Sequence, residues 1–310
     1  YAGPLRTGGD DARRMTVVQH LKPTSETPER VVVIGAGGFV GSALMRRLTA
    51  ANVPALGLTR RELDLGAPEA IEQLAALLRP SDAVVAVAAR APCKDIGMMV
   101  DNMVMTRTMV EALARVPVTH VVNVSSDAVY ADEPVPLTER SPTAPTSMHG
   151  VMHLAREIAF ASTIKSPLLI VRPSLLYGAA APHNCYGPNR FRRLANAGDD
   201  IVLFGEGEER RDHVLIDDVA EIIFRALCRR TVGALNIATG EVYSFRDVAE
   251  RVVAAAPHKV AIKGSPRTGP MPHNGYRPFD ISACRAAFPD FAYTPLPLGV
   301  ERAQAQMSGG

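Results

Sequence analysis

Cysteine is scarce in this chain, and its four copies (Cys93, Cys185, Cys228 and Cys284) stand far apart with no C-x-x-C pair among them. That argues against a disulfide framework and a structural zinc site, and points to a reducing, cytoplasmic setting. Long apolar runs are missing too: nothing approaches the ~18 residues needed to cross a bilayer. Nor is there an excess of one charge. Thirty-four Lys and Arg stand against thirty-two Asp and Glu, for a net charge of +2 with the signs interspersed. This removes the case for nucleic acid or an anionic membrane as a partner, although a few local arginines would suffice to bind a small anionic substrate. The first thirty residues mix Arg13 and Arg14 with Asp10 and Asp11 and hold no apolar h-region, so they do not read as a signal peptide. The chain opens on Tyr1 and first reaches Met at position 15. Residues 1–29 are expected to form a flexible extension.

What is present is apolar bulk: 47% of 310 residues, enough for the core of one large α/β domain or two modest ones. From Arg30 onward, short apolar runs alternate with amphipathic stretches. VVVIGA (31–36), PALGLTR (54–60), DAVVAVAA (82–89), THVVNVSS (119–126) and PLLIVRP (167–173) read as strands. Between them, FVGSALMRRLTAAN (39–52), APEAIEQLAALLR (67–79), a methionine-rich stretch from Ile96 to Ala114, and SMHGVMHLARE (147–157) read as helices. Strands separated by helical patterns predict a doubly wound parallel sheet. The strands do not alternate polar with apolar, as expected when helices cover both faces. Residues 178–212 read as loop plus one helix, and DDVAEIIFRALCRR (217–230) as a helix capped by Asp217 or Asp218. The remainder reads as irregular, with short strands near 234–237 and 259–263. No internal repeat is found.

The first strand runs into GAGGFVG, with glycines at 35, 38 and 41 in the spacing G-x-x-G-x-x-G. A strand, a glycine turn and a helix N-terminus bring backbone N–H groups and a helix dipole against a pyrophosphate, and a Cβ would block that approach. The alternative is a merely tight structural turn; the further βα units behind it favour a dinucleotide and a Rossmann-type fold. The second strand ends in Thr59-Arg60-Arg61. Arg suits a 2′-phosphate, so NADP is favoured over NAD, while Asp64 keeps NAD open. The expected organisation is an extension (1–29), a dinucleotide-binding domain (30–180 and 213–240), and a smaller interleaved substrate-binding lobe (181–212 and 241–310).

The glycine spacing, GLTRRELDL (57–65), VSSDAVYA (124–131) and GEERRDHVLIDDVA (207–220) together resemble the extended short-chain dehydrogenase/reductase family of nucleotide-sugar epimerases, dehydratases and reductases. The resemblance spans roughly residues 30 to 300. It implies an NADP or NAD site made by Gly35, Gly38, Phe39, Val40, Gly41, Thr59, Arg60, Asp64, Leu65, Ala88, Ala89, Asn102, His153 and Pro173. It places Ser126 on the reacting sugar hydroxyl. Asp127 stands where dehydratases carry the first of an Asp-Glu pair, but Ala128 replaces the second, which argues against a family-type dehydration. For the nucleotide sugar it implies Asn189 or Asn184 near the phosphates, with Arg211 and Arg277 as bidentate partners of the diphosphate. No metal is implied. A homodimer through the methionine-rich and histidine helices is expected.

The family's catalytic helix reads Tyr-Gly-x-x-Lys-Leu-x-x-x-Glu, and here it falls on His149-Gly150-Val151-Met152-His153-Leu154-Ala155-Arg156-Glu157. His149 thus stands at the Tyr position and His153 at the Lys position. Three readings stay open. His149 acts as the general base, since imidazole titrates near pH ~6.5 and phenol near ~10; the pair is silent and the protein only binds its ligands; or the pair holds a metal, which needs a third ligand. The other histidines give weaker signals: His183 lies in the substrate-loop segment, and His273 has no partner that the sequence identifies.

Overall fold

The computed structural model describes residues 18–133, 135–180 and 187–308. Its central seven-stranded sheet takes β1 (Gln19–His20), β2 (Val31–Ile34), β3 (Ala55–Leu58), β4 (Ala83–Ala86), β5 (His120–Val124), β6 (Leu168–Pro173) and β10 (Thr231–Ile237). The order is β1-β10-β6-β5-β4-β2-β3. All neighbours run parallel except β1 against β10. The helices of the central unit are α1 (Phe39–Ala50), α2 (Ala70–Leu77), α3 (Ile96–Arg115), α4 (Met148–Thr163) and α6 (Ile216–Arg229). Strand β2 shows why the apolar runs lack alternation. Val31 and Val33 enter one apolar layer with Leu44 and Leu48 of α1 and Ile223 of α6. Val32 and Ile34 enter the other, with Leu74 of α2 and Met109 and Leu113 of α3. Both faces are covered, so both need hydrocarbon. The doubly wound α/β expectation is met, and the chain reverses its direction of growth between β2 and β4, where such sheets open a crevice.

A smaller lobe is built from β7 (Leu175–Tyr177), α5 (Pro188–Ala197), β8 (Ile201–Phe204), β9 (Arg210–Leu215), β11 (Val242–Ser244), α7 (Phe245–Ala255), β12 (Ile262–Ser265), β13 (Tyr276–Arg277), α8 (Ser282–Ala287) and α9 (Leu296–Ser308). β9 pairs with β7, β11 and β13, while β8 pairs with β12. Among the described residues no helix is long and apolar enough to cross a membrane.

Four details differ from the sequence reading. The segment before Arg30 does not stand apart where it is described: β1 pairs with β10, and His20 bridges the Thr231 hydroxyl (2.8 Å) and the Ala287 carbonyl (2.9 Å). Neither Asp217 nor Asp218 caps α6, whose N-cap is Leu215. Asp218 instead accepts from the Thr294 backbone (2.7 Å) and hydroxyl (2.9 Å), tying the helix to the final segment. Residues 178–212 hold β8 and the first half of β9 as well as a helix, and the expected boundary at 212/213 falls inside β9. Helix α7 lies in a stretch read as irregular. Its signal was local: Ser244 and Asp247 form a reciprocal capping box.

Candidate active site

A cleft of about 1720 Å³ runs along the C-terminal ends of β2, β4, β5 and β6 and continues under the smaller lobe. At one end the glycine turn leaves room that a side chain would fill. Gly35 has φ +98°, and a Cβ there would sit 2.6 Å from the Ala88 backbone nitrogen. A Cβ on Gly41 would sit 2.1 Å from the Gly35 carbonyl oxygen, so this glycine lets α1 lie against the turn. Gly35, Gly38, Phe39 and Val40 line the cleft and Gly41 does not. The cradle therefore consists of glycine backbone leading into a helix N-terminus, which fits the pyrophosphate of a dinucleotide.

Beyond the turn, Thr59, Arg60, Asp64 and Leu65 line the cleft. Glu62, which the sequence reading passed over, accepts from both the backbone N–H (2.9 Å) and the hydroxyl of Thr59. The Arg60 guanidinium lies 3.3 Å from Asp64. This end thus presents two carboxylates as well as two arginines. Ala88, Ala89 and Pro173 also line the cleft. Asn102 does not reach it: buried on α3, it ties down the loop after β4 by accepting from the Arg90 N–H (2.8 Å) and donating to the Arg90 carbonyl (3.0 Å).

Helix α4 delivers the two histidines. Ser147 caps it by accepting from the Gly150 N–H (3.1 Å). Its first turn rests on the short turn Asp127–Val129, so closely that a Cβ on Gly150 would lie 2.1 Å from the Ala128 carbonyl oxygen. Ser126 and His149 both line the cleft, with His153 and Asp127. Ser126 is itself fixed, its Oγ accepting from the Ala128 N–H at 3.1 Å. The imidazoles meet edge to face, centroids 4.6 Å apart. The Cys93 N–H lies 3.4 Å from His149 Nδ1. Burial lowers the His149 pKa, with the Asp127 carboxylate opposing the shift. Burial, the His149 ring and Arg156 push His153 well below the ordinary imidazole value. Both rings are neutral near pH 7. Among the described residues the buried Nδ1 of His153 has no partner. Among the described residues no His, Cys, Asp or Glu joins them in a group of three able to hold a metal.

The substrate end is dominated by a chain of charges joining residues far apart in sequence. Arg277 Nε donates to Asp127 Oδ2 (2.9 Å), and Arg277 Nη1 donates to Asp132 Oδ1 (2.7 Å). His273 Nδ1 also meets Asp132 Oδ1. Burial favours the protonated form of Asp127, but Arg277, Arg211 and His273 outweigh it and hold its pKa below the usual value. Asp127 is accordingly a fixed anion. Arg277 is 2% exposed and stays outside the cleft lining, whereas Arg211 lines the cleft. Asn189 lines it too, with its side chain bonded to the Gly178 N–H (3.1 Å) and the Leu176 carbonyl (3.2 Å). Asn184 and His183 lie outside the described residues. The pairing of Asp132 with His273, across 141 positions, carried no local signal.

Behind the site, Glu157 receives a two-pronged bond from Arg172, Nε to Oε1 (2.9 Å) and Nη2 to Oε2 (2.6 Å), and also accepts from the Ser125 hydroxyl (2.5 Å). Arg172 Nη1 in turn donates to the Tyr130 hydroxyl (2.9 Å), which donates to Asn236 (2.7 Å). This network fixes α4 against β5, β6 and β10.

The sequence profile of the NAD dependent epimerase/dehydratase family matches residues 31–238. A dTDP-L-rhamnose 4-epimerase of Burkholderia thailandensis is 34% identical over 146 residues, 44% of this chain and 40% of that protein. A UDP-glucose 4-epimerase of Azospirillum brasilense is 31% identical over 268 residues, covering 73% of this chain and 76% of that one. Among solved structures, the Thermus thermophilus UDP-glucose 4-epimerase in complex with NAD superposes with a TM-score of 0.78 at 22% identity, covering 91% of this chain and 99% of the other.

Proposed function

Because the chain belongs to the NAD dependent epimerase/dehydratase family, we propose that it is an NAD(P)-dependent oxidoreductase or epimerase acting on a hydroxyl or ketone of a nucleotide sugar. The observation that carries this reading is one continuous cleft joining the glycine cradle to Ser126 and His149 and on to Arg211. When bound, the nicotinamide supplies the carbon that accepts or returns a hydride. The chain's own residues do the rest. The turn at Gly35 and Gly38 and the start of α1 hold the pyrophosphate, and His153 holds the nicotinamide ribose. Ser126 orients the reacting sugar oxygen, and His149 gives or takes its proton. Arg211, at 3.7 Å from Asp127 and 3.4 Å from Glu209, faces the diphosphate from the cleft wall, while Arg277 holds Asp127 and Asp132 in place. Arg60 and Arg61 support NADP; Glu62 and Asp64 support NAD.

The test is to incubate the protein with NAD⁺ or NADP⁺ and a panel of UDP- and dTDP-hexoses, following absorbance at 340 nm and sugar configuration by NMR. Turnover of at least one sugar, abolished in His149→Ala, is expected. A second reading, a protein that binds cofactor and sugar nucleotide without converting them, is favoured by the absence of both the phenol and the ammonium. Dinucleotide binding with no conversion of any hexose would establish it instead.

The assembly we propose is a homodimer. Ile96, Val100 and Val104 on α3 are 69%, 56% and 41% exposed, and Val151 and Ile158 on the adjoining α4 are 44% and 55% exposed. Their spacing makes one apolar face on each helix. A dimer is expected in sedimentation at micromolar concentration, and Val100→Glu with Ile158→Glu should dissociate it; a monomeric wild type would overturn the assignment. Among the described residues Cys93, Cys228 and Cys284 form no disulfide, which supports a reducing, cytoplasmic location.

A further inference from the structure

Arg156 is 1% exposed, yet it has no carboxylate within ion-pair distance among the described residues. Its guanidinium donates instead to three neutral oxygens: Asn123 Oδ1 (2.6 Å), the Ala86 carbonyl (2.7 Å) and the Ala88 carbonyl. The neighbouring Glu157 is taken up by Arg172. A buried cation without a counterion costs several kcal/mol in desolvation, and the fold would shed that cost by placing Asp at 123. Two further facts locate the charge. Arg156 lies three positions after His153 on α4, hence on the same face one turn away. Ala88, whose carbonyl it holds, lines the cleft beside the glycine turn. His149 and His153 are neutral near pH 7, so they leave this guanidinium as the fixed positive charge on this face of α4.

We infer that Arg156 is a positioning residue that tunes the bound nicotinamide cofactor, its unpaired charge disfavouring the cationic oxidised ring relative to the neutral reduced one. The inference rests on the dinucleotide reading above. By this account the retained charge makes the bound oxidised cofactor a stronger hydride acceptor. It acts through the site's electrostatics without touching the sugar.

The decisive variant is Asn123→Asp, which places a carboxylate against Arg156 Nε and neutralises the cation while keeping the guanidinium packed. The measurement is the ratio of dissociation constants, Kd(NAD⁺) over Kd(NADH), by fluorescence titration, repeated with the NADP pair. Neutralising one unit charge buried beside the site, at an effective dielectric constant of ~20, is expected to change this ratio by about tenfold. Wild type should therefore favour the reduced form about tenfold more strongly than Asn123→Asp. Arg156→Lys should keep the wild-type ratio, and Arg156→Met should follow Asn123→Asp. A ratio unchanged in Asn123→Asp overturns the inference while leaving the dinucleotide reading intact. Failure of the wild type to bind any of the four dinucleotides overturns that reading, and this inference with it.

Discussion

Glu157→Gln is expected to destabilise the protein by about 3–5 kcal/mol, a large part of the 5–15 kcal/mol typical of a folded domain. The substitution is nearly isosteric, so packing is kept and charge alone is lost. It leaves Arg172, whose side chain is 4% exposed, without its carboxylate. Arg172 cannot escape the penalty by losing its proton, because a guanidinium is effectively never deprotonated in a protein. Tyr130 is drawn in as well, since burial, partly opposed by Arg172, pushes its hydroxyl up to about 12. Urea unfolding should show the midpoint falling at unchanged slope. A loss under about 1 kcal/mol would mean that the carboxylate contributes little beyond its hydrogen bonds.

For His149→Ala, the proposed chemistry calls for kcat to fall by about 10²–10⁴-fold, the usual worth of a placed acid–base group. The pH profile sharpens the test. Burial lowers the pKa of His149, so the neutral form persists below pH ~6.5, where a free imidazole is half charged. With the neutral ring active, kcat/KM should stay flat through pH 7 and drop only on acidification past ~6.5. This acid limb should vanish in His149→Ala. A limb centred above pH 7 would contradict the lowered value and point to another group. Equal kcat in wild type and variant would remove His149 from the chemistry.

The parts of this protein that could be read from its sequence are those in which neighbours in the chain are neighbours in space. The strand, glycine turn and helix at Val31–Ala50 form one local unit, and the histidine helix carries its spacing within one turn. Helix α7 belongs with them, because its Ser244–Asp247 capping box is formed within one turn. The charged chain at the substrate end is different. Arg277 resembles a diphosphate ligand until Asp127 and Asp132, 150 and 145 positions away, are seen to occupy it. A guanidinium bound to a protein carboxylate and one free for a phosphate look alike in sequence. In the same way, Asn102 carries no mark to distinguish holding a loop from touching a cofactor.

The short strand Gln19–His20 has a consequence for solubility. Without it, β10 would end the sheet with a row of backbone groups open to another molecule's strand. Two residues of antiparallel pairing, pinned through His20 to Thr231 and Ala287, occupy part of that edge. A segment set aside as an extension thereby shields this side of the sheet against edge-to-edge aggregation.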